Sequence, residues 1–110
     1  MVKLIDLGGA RKDVNFDVIN SAAIPSLPAI VGRWLPNGKR QGNEWVALNP
    51  NRADSRLGSF KINLRTGKWS DFATGDRGGD PVSLAAYLHG LSQVEAARQL
   101  AHMLGVSLDG

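Results

Sequence analysis

The sequence predicts an α+β domain in which a small antiparallel β-sheet is flanked by N-terminal and C-terminal helices. Three observations lead to this prediction. Short β-favouring runs with a glycine turn fill the middle of the chain, amphipathic runs lie on either side, and the chain has no cysteine, so no disulfide or cysteine-bound zinc holds its core. The 110 residues fit one domain, expected over residues 14–110 after a flexible N-terminal arm, residues 1–13.

Two short helices are expected at the start of this domain. The first begins at Asp13 or Asn15, with Asn15 as a possible N-cap, and ends before Pro25. The second spans Ser26 to Trp34, with Ser26 as its cap and a proline in its first turn. Apolar residues recur on one side of the first helix, at Phe16, Ile19 and Ile24.

The middle of the chain predicts strands. Glu44–Leu48 is rich in β-favouring residues, and Ser59–Leu64 alternates between apolar and polar side chains. Arg65–Lys68 is a turn in which Gly67 can take a positive φ, and Lys68–Phe72 returns as the partner strand. We therefore expect a β-hairpin here, with residues 73–79 as a loop after it.

Two further helices are expected at the C-terminal end. Asp80-Pro81 is a cap followed by proline at the first helical position, and Gly90 ends that helix. Ser92–Glu95 has the pattern of a capping box, and Gly105 ends the last helix. The expected buried positions of the last helix are Val94, Ala97, Leu100, Ala101 and Leu104.

The positive charge is concentrated in the middle of the chain. Residues 33–77 carry nine basic and four acidic side chains, residues 1–32 are balanced, and residues 78–110 carry one basic and three acidic. Such a patch favours a polyanionic partner, although a solvated basic face explains the charge equally well. The N-terminal residues lack the apolar core of a signal peptide, and no apolar run is long enough to span a membrane, so we expect a cytoplasmic protein.

Candidate catalytic groups are few, and we expect neither an enzyme nor a cofactor. His89 and His102 fall in last helical turns, where the helix dipole accounts for them. Asp71, Asp76 and Asp80 surround a glycine-rich loop and permit a metal-dependent nuclease or nucleotidyl transferase as a remote alternative. Their spacing is not that of a calcium loop, and turn and cap chemistry explains them better.

Basic and aromatic side chains on the predicted hairpin indicate a binding function. Lys61 and Arg65 alternate onto the polar face, Lys68 lies at the turn, and Trp45 and Trp69 lie within or beside the same sheet. Cations that hold phosphates, together with aromatics that stack bases, are typical of single-stranded nucleic-acid binding. Core packing is the competing explanation for each tryptophan, and we expect it to hold for at least one.

Motifs of one family occur at Gly58–Ile62, Gly78–Asp80 and Leu91–Val106, and through them the second half of the chain resembles the zinc-ribbon domain at the N-terminus of bacterial and phage DNA primases. Gly58–Ile62 matches its Pro-Ser-Phe strand, Gly78–Asp80 its Gly-Gly-Asn/Asp turn, and Leu91–Val106 its last helix. Asn49–Arg52 occupies the position of its first ligand pair. Gly67–Asp76 is similar to the G-x-W-x-D-F-x-T-G run of phage and plasmid replication proteins, which are primases or primase-helicases whose ribbon has lost its metal.

The resemblance implies a zinc-ribbon-like but metal-free hairpin that contacts template DNA, because Asn49, Arg52, Phe72 and Gly75 replace the four ligands. The expected function is a single-stranded DNA binding accessory domain of a phage or mobile-element replication protein. The alternative is a module that docks a primase or helicase partner. The predicted nucleic-acid-binding residues are Lys61, Arg65, Lys68, Arg52, Arg56, Arg77 and Trp69.

Trp69 and Phe72 are also predicted to fill space near the lost metal site. A structural zinc contributes folding free energy, so its absence has to be offset by packing. Strand alternation places these two aromatic residues on opposite faces of the sheet. Both can therefore fill the same space only if a bulge intervenes.

Overall fold

The computed structural model describes residues 14–52 and 57–108, and in these residues the chain forms the predicted α+β fold. The helices are α1 (Phe16–Ala23), α2 (Leu27–Trp34), α3 (Pro81–His89) and α4 (Gln93–Leu104), and the strands are β1 (Lys39–Gln41), β2 (Glu44–Ala47), β3 (Phe60–Asn63), β4 (Trp69–Asp71) and β5 (Arg77–Gly78). A single 3₁₀ turn, Ile24–Ser26, joins α1 to α2. The predicted arm, residues 1–13, lies outside the described residues.

The five strands of the described residues form one antiparallel sheet in the order β1-β2-β3-β4-β5. The predicted hairpin between β3 and β4 is confirmed, and its turn depends on Gly67, whose φ is +81°. A Cβ at this position would collide with the ring of Pro81 at the start of α3. Only glycine therefore meets both the backbone conformation and the close approach of the helix.

Two strands, β1 and β5, were not predicted. Gln41 pairs with Glu44 across a two-residue turn, Gly42-Asn43, in which Gly42 has a φ of +61°. This dipeptide is a hairpin signal, so the sequence contained the information for β1. The two residues of β5 pair with Trp69 and Ser70 inside the segment expected to be a loop.

Most of the predicted helix ends are confirmed. Asn15 Oδ1 accepts a hydrogen bond from the Val18 amide at 3.2 Å, and the Ser92 hydroxyl accepts one from the Glu95 amide at 3.1 Å. Asp80 and Ser83 form a reciprocal capping box at the start of α3. Ser26 occupies the N-cap position of α2, as predicted, but its side chain makes no cap bond. The 3₁₀ turn runs directly into α2, and the backbone of Ser26, with φ −101° and ψ 3°, is not extended as it is at most N-caps.

One face of the sheet packs against the helices, and we call it the helix face. Phe60, Ile62 and Trp69 lie on it and are buried. The Tyr87 ring of α3 lies 6.2 Å from the Phe60 ring and 4.5 Å from the Trp69 ring, measured between centroids. The Trp69 indole N–H donates to the Ser83 hydroxyl at 3.0 Å. This confirms that Trp69 is structural.

The N-terminal helices complete this core. The Trp45 indole N–H donates to the Leu35 carbonyl at 3.1 Å, and the Val82 amide of α3 donates to Asn20 of α1 at 2.9 Å. The segment that contains α1 and α2 thus contacts both the sheet and α3. The described buried apolar side chains of the helices are Ile19, Ala23, Leu27, Ile30, Val31, Val82, Leu84, Ala85, Ala86, Ala96, Ala97, Leu100 and Ala101.

The structure also bears on membrane insertion. Among residues 14–52 and 57–108, no helix has the length and apolar character needed to cross a bilayer.

Candidate nucleic-acid interface

The second face of the sheet carries a row of basic side chains, and we call it the open face. Lys39 of β1 lies opposite Val46, which lies opposite Lys61 of β3. Lys61 lies opposite Ser70, and Ser70 lies opposite Arg77 of β5. Directly paired residues share a face, so these five side chains form one line across all the described strands.

The three cations of this line are evenly spaced along it. Lys39 and Lys61 are two strands apart, as are Lys61 and Arg77, and two strand spacings amount to about 10 Å. Lys39 and Arg77 are exposed, and Lys61 is half-buried. The line therefore presents positive charge over about 19 Å of this face, whose register also includes the half-buried Glu44 and the buried Val46.

Phe72 is the exposed aromatic side chain next to this row, with 72% of its surface accessible. Its amide donates to the Ser59 carbonyl at 2.9 Å, which extends the β3–β4 pairing by one step beyond Asp71. The Lys61 ammonium lies 5.9 Å from the centre of the Phe72 ring, so both side chains are on the open face. The prediction that Phe72 fills the core is wrong, because strand alternation turns it away from the side on which Trp69 is buried.

Two further predicted cations lie at the hairpin end of the sheet. Lys68 is exposed, and its carbonyl accepts from the Asn63 amide at 2.7 Å. It therefore continues the β3–β4 ladder and alternates onto the open face. Arg65 is exposed in the turn, because β3 ends at Asn63, whose side chain accepts from the Arg65 amide at 2.9 Å. Strand alternation does not extend to Arg65, so the predicted sharing of a face with Lys61 does not follow.

Two other predicted binding residues have structural positions, and a third is not described. Trp69 is 6% exposed and lies on the helix face, so its ring has no free surface on which a base could stack. The guanidinium of Arg52 is bound to Asp71, with Nε 2.8 Å from Oδ2 and an NH2 group 3.3 Å from Oδ1. Arg56 lies outside the described residues.

A buried carboxylate lies directly beneath the open face. Asp71 has no exposed surface, because its position opposite Phe60 turns its side chain toward the helix face. It accepts hydrogen bonds from Asn49 Nδ2 at 2.8 Å, from Arg52, and from the Ala73 amide at 2.9 Å. One side chain thus joins the β2–β3 connection to the end of β4.

Tyr87 extends this hydrogen-bond network to helix α3. Its hydroxyl accepts from Asn49 Nδ2 at 2.8 Å and donates to Asp76 Oδ2 at 2.7 Å. Asn51 adds a bond from its side-chain amide to the Tyr87 carbonyl at 2.6 Å. Three separate segments of the chain therefore meet in one network.

The ionisation of the two central groups follows from these partners. The hydrogen bond from Arg52 outweighs burial and, with those from Asn49 and Ala73, lowers the pKa of Asp71 from 3.8 to about 2. Burial raises the pKa of the Tyr87 phenol above its ordinary value of 10.0, and the hydrogen bond to Asp76 acts in the same direction. Asp71 is thus a carboxylate at neutral pH, and Tyr87 keeps the proton that it donates.

This network occupies two of the four positions where the resemblance implies metal ligands. Asn49 and Arg52, which replace the first ligand pair, are both bonded to Asp71, whereas Phe72 and Gly75, which replace the second, are exposed. Within the described parts of the chain, no group of three or more histidine, aspartate or glutamate side chains is arranged to hold a metal ion. Asp71, Asp76 and Asp80 have separate partners, and Asp80 caps α3.

The two histidines lie in the last turns of α3 and α4, as predicted. His89 packs edge-on against the Trp34 ring, with 5.2 Å between the centroids.

The chain matches no protein-family model, and no curated protein matches its sequence.

Proposed function

We propose that this protein binds single-stranded DNA on the open face of its sheet, as a template-binding accessory domain of a phage or mobile-element primase in the cytoplasm. One observation carries the proposal: Lys39, Lys61 and Arg77 form a line across the sheet, and the exposed ring of Phe72 lies beside it. Cations in a line can follow a phosphate backbone, and an exposed ring can stack an unpaired base.

Single strands fit this surface better than a duplex. A base in a duplex has no free face for an aromatic side chain, so the Phe72 ring can stack on a base and add to the affinity only when the bases are unpaired. The contacts proposed for the open face are electrostatic or stacking contacts, and neither kind distinguishes one base sequence from another. Binding is therefore weak and independent of sequence.

The choice of DNA and of a primase context rests on the resemblance of Gly58–Ile62, Gly67–Asp76 and Leu91–Val106 to metal-free primase ribbons. The site proposed here keeps Lys61, Lys68 and Arg77 from the sequence prediction, with Arg65 at its margin, and adds Lys39 and Phe72. Arg52 and Trp69 support the sheet from within.

Fluorescence anisotropy of a labelled oligothymidine, titrated with protein at several salt concentrations, tests the proposal. Four cations on the open face predict that log K falls with log salt with a slope of about −3, because single strands give about −0.7 for each neutralised phosphate. The triple variant Lys39→Gln, Lys61→Gln, Arg77→Gln should lose most of this slope. A duplex of the same length should bind the unchanged protein more weakly than the single strand.

A matched control variant shows whether binding depends on where the cations lie or only on the net charge of the protein. Arg33 and Arg98 lie on α2 and α4, and Arg40 lies in the register of the helix face, opposite Trp45. Replacing these three with glutamine removes the same net charge away from the open face, so the slope should stay near that of the unchanged protein. Equal losses in both triple variants would reject the site, and no binding at low salt would favour docking of a primase or helicase partner.

A further inference from the structure

The turn between β4 and β5, residues 71–76, positions two of the groups proposed to contact nucleic acid. Phe72 is at its start, and Arg77 follows its end. Phe72 is largely exposed, so side-chain packing does little to hold its ring in place. The direction in which the ring points is therefore set by the backbone of the turn.

Asp71 fixes this backbone from inside the sheet. Its carbonyl accepts from the Gly75 amide at 2.8 Å, and its own amide donates to the Asp76 carbonyl at 2.8 Å. Its carboxylate accepts from the Ala73 amide at 2.9 Å. These three bonds close the turn around Phe72, and Asn49 and Arg52 hold the same carboxylate from the β2–β3 connection.

Tyr87 fixes the far end of the turn to helix α3. Its ring packs against the buried rings of Phe60 and Trp69, so the position of its hydroxyl is set by the core. That hydroxyl donates to Asp76 at 2.7 Å, although Asp76 is itself exposed. An exposed residue next to Arg77 is in this way tied to the protein interior.

We infer that Asp71 and Tyr87 are positioning residues for the open face: they hold the 71–76 turn so that Phe72 and Arg77 are already in place when a single strand binds. This inference rests on the proposed function. Ordering a mobile turn at the moment of binding lowers affinity, so a turn that is ordered beforehand raises it. Neither residue has to touch the nucleic acid.

Two variants test this with the oligonucleotide assay described above. Tyr87→Phe keeps the ring and removes the hydroxyl, and we expect it to weaken binding several-fold. Asp76→Ala removes the partner of that hydroxyl together with a negative charge. Loss of the charge alone would strengthen binding to DNA. Positioning predicts the opposite sign, so weaker binding by Asp76→Ala supports the inference against the charge effect.

A double-mutant cycle identifies what Tyr87 positions. If the hydroxyl acts through Phe72, the change Phe72→Ala should cost less affinity in the Tyr87→Phe protein than in the unchanged protein. Ser92→Ala is the stability control, because it removes a helix cap on α4 that has no bond to the turn. It should lower the melting temperature and leave the affinity unchanged.

Amide hydrogen exchange gives a second measurement that needs no DNA. The Ala73 and Gly75 amides should exchange faster in Tyr87→Phe than in the unchanged protein and should be unaffected by Ser92→Ala. Binding by Tyr87→Phe and Asp76→Ala at least as tight as that of the unchanged protein overturns the inference and leaves the proposed function standing. Absence of binding by the unchanged protein overturns both.

Discussion

Consecutive residues of each strand point to opposite faces of the sheet, and the two faces differ in chemistry. On β4, Trp69 and Asp71 point to the helix face and are buried, whereas Ser70 and Phe72 point to the open face. On β3, Phe60 and Ile62 are buried, and Lys61 lies between them on the other side. On these two strands the candidate binding side chains therefore alternate with buried ones, so the register that builds the core also sets the positions of Lys61 and Phe72.

The largest expected effect is a change in stability, and it should differ between two phenylalanines on opposite faces of the sheet. Phe60 has no exposed surface, whereas Phe72 has 72%. Phe60→Ala should lower the free energy of unfolding by about 3–5 kcal/mol, because it leaves a cavity between the sheet and α3. Phe72→Ala should change it by no more than about 0.5 kcal/mol, as at other surface positions. Urea denaturation followed by tryptophan fluorescence measures both.

In a binding experiment the two phenylalanines should rank the other way, with the larger effect at Phe72. Phe72→Ala should weaken oligonucleotide binding by about 1–3 kcal/mol, the usual contribution of one stacked base. A conservative change at the buried position, Phe60→Leu, should leave affinity unchanged at temperatures where the protein is folded. A large stability loss from Phe72→Ala would mean that the open face is covered, and the comparison of the two faces would then fail.

The next effect is the pH dependence that Asp71 confers. Its pKa is about 2 in the folded protein, against 3.8 when the chain is unfolded and the partners are lost. The folded state therefore binds this proton less readily, and the ionised carboxylate stabilises the fold above pH 3.8. This contribution should decline as the pH falls from about 4 toward 2. Denaturant midpoints measured across this range should show the decline.

Asp71→Asn isolates that contribution. The amide cannot form the ion pair with Arg52, so we expect a loss of about 1–3 kcal/mol at neutral pH. Stability should then depend less on pH between about 4 and 2 than it does in the unchanged protein. An identical pH dependence in both proteins would show that other carboxylates are responsible.

The features that could be predicted from the sequence are the local ones. Gly67 in a turn between alternating runs predicted the hairpin, and Asn15, Asp80 and Ser92 marked helix starts, because each signal acts within a few residues. The Asp71 network was missed for the opposite reason. Its bonds join Asn49 to Asp71 and to Tyr87, 22 and 38 residues away, and no short pattern encodes such partners.

The candidate site could be predicted only where a local sequence pattern determines it. Strand alternation placed Lys61 on the polar side of β3, and it also separated Trp69 from Phe72. Which side faced the helices depended on long-range packing, so the ring expected to stack bases is buried and the ring expected in the core is exposed. Lys39 was missed because β1 was not recognised from its Gly42-Asn43 turn.

The smallest expected effect comes from single cations on opposite faces. Lys61 lies at the centre of the basic row, and Arg40 lies one step along β1 from Lys39, opposite Trp45 on the helix face. Lys61→Gln should reduce the salt slope of oligonucleotide binding by about 0.7, since one phosphate contact is lost. Arg40→Gln removes the same charge and should leave the slope unchanged within error.

This last comparison distinguishes contact from general attraction. A long-range field of the whole protein would respond equally to either charge, because both lie in the same small sheet and both are separated from the strand by no more than about a Debye length at moderate salt. Direct neutralisation of a phosphate responds only to the cation that meets it. Equal slopes in the Lys61→Gln and Arg40→Gln proteins would therefore show that a diffuse positive field attracts the single strand. Direct contact with the basic row would then be rejected, even if the unchanged protein binds single strands.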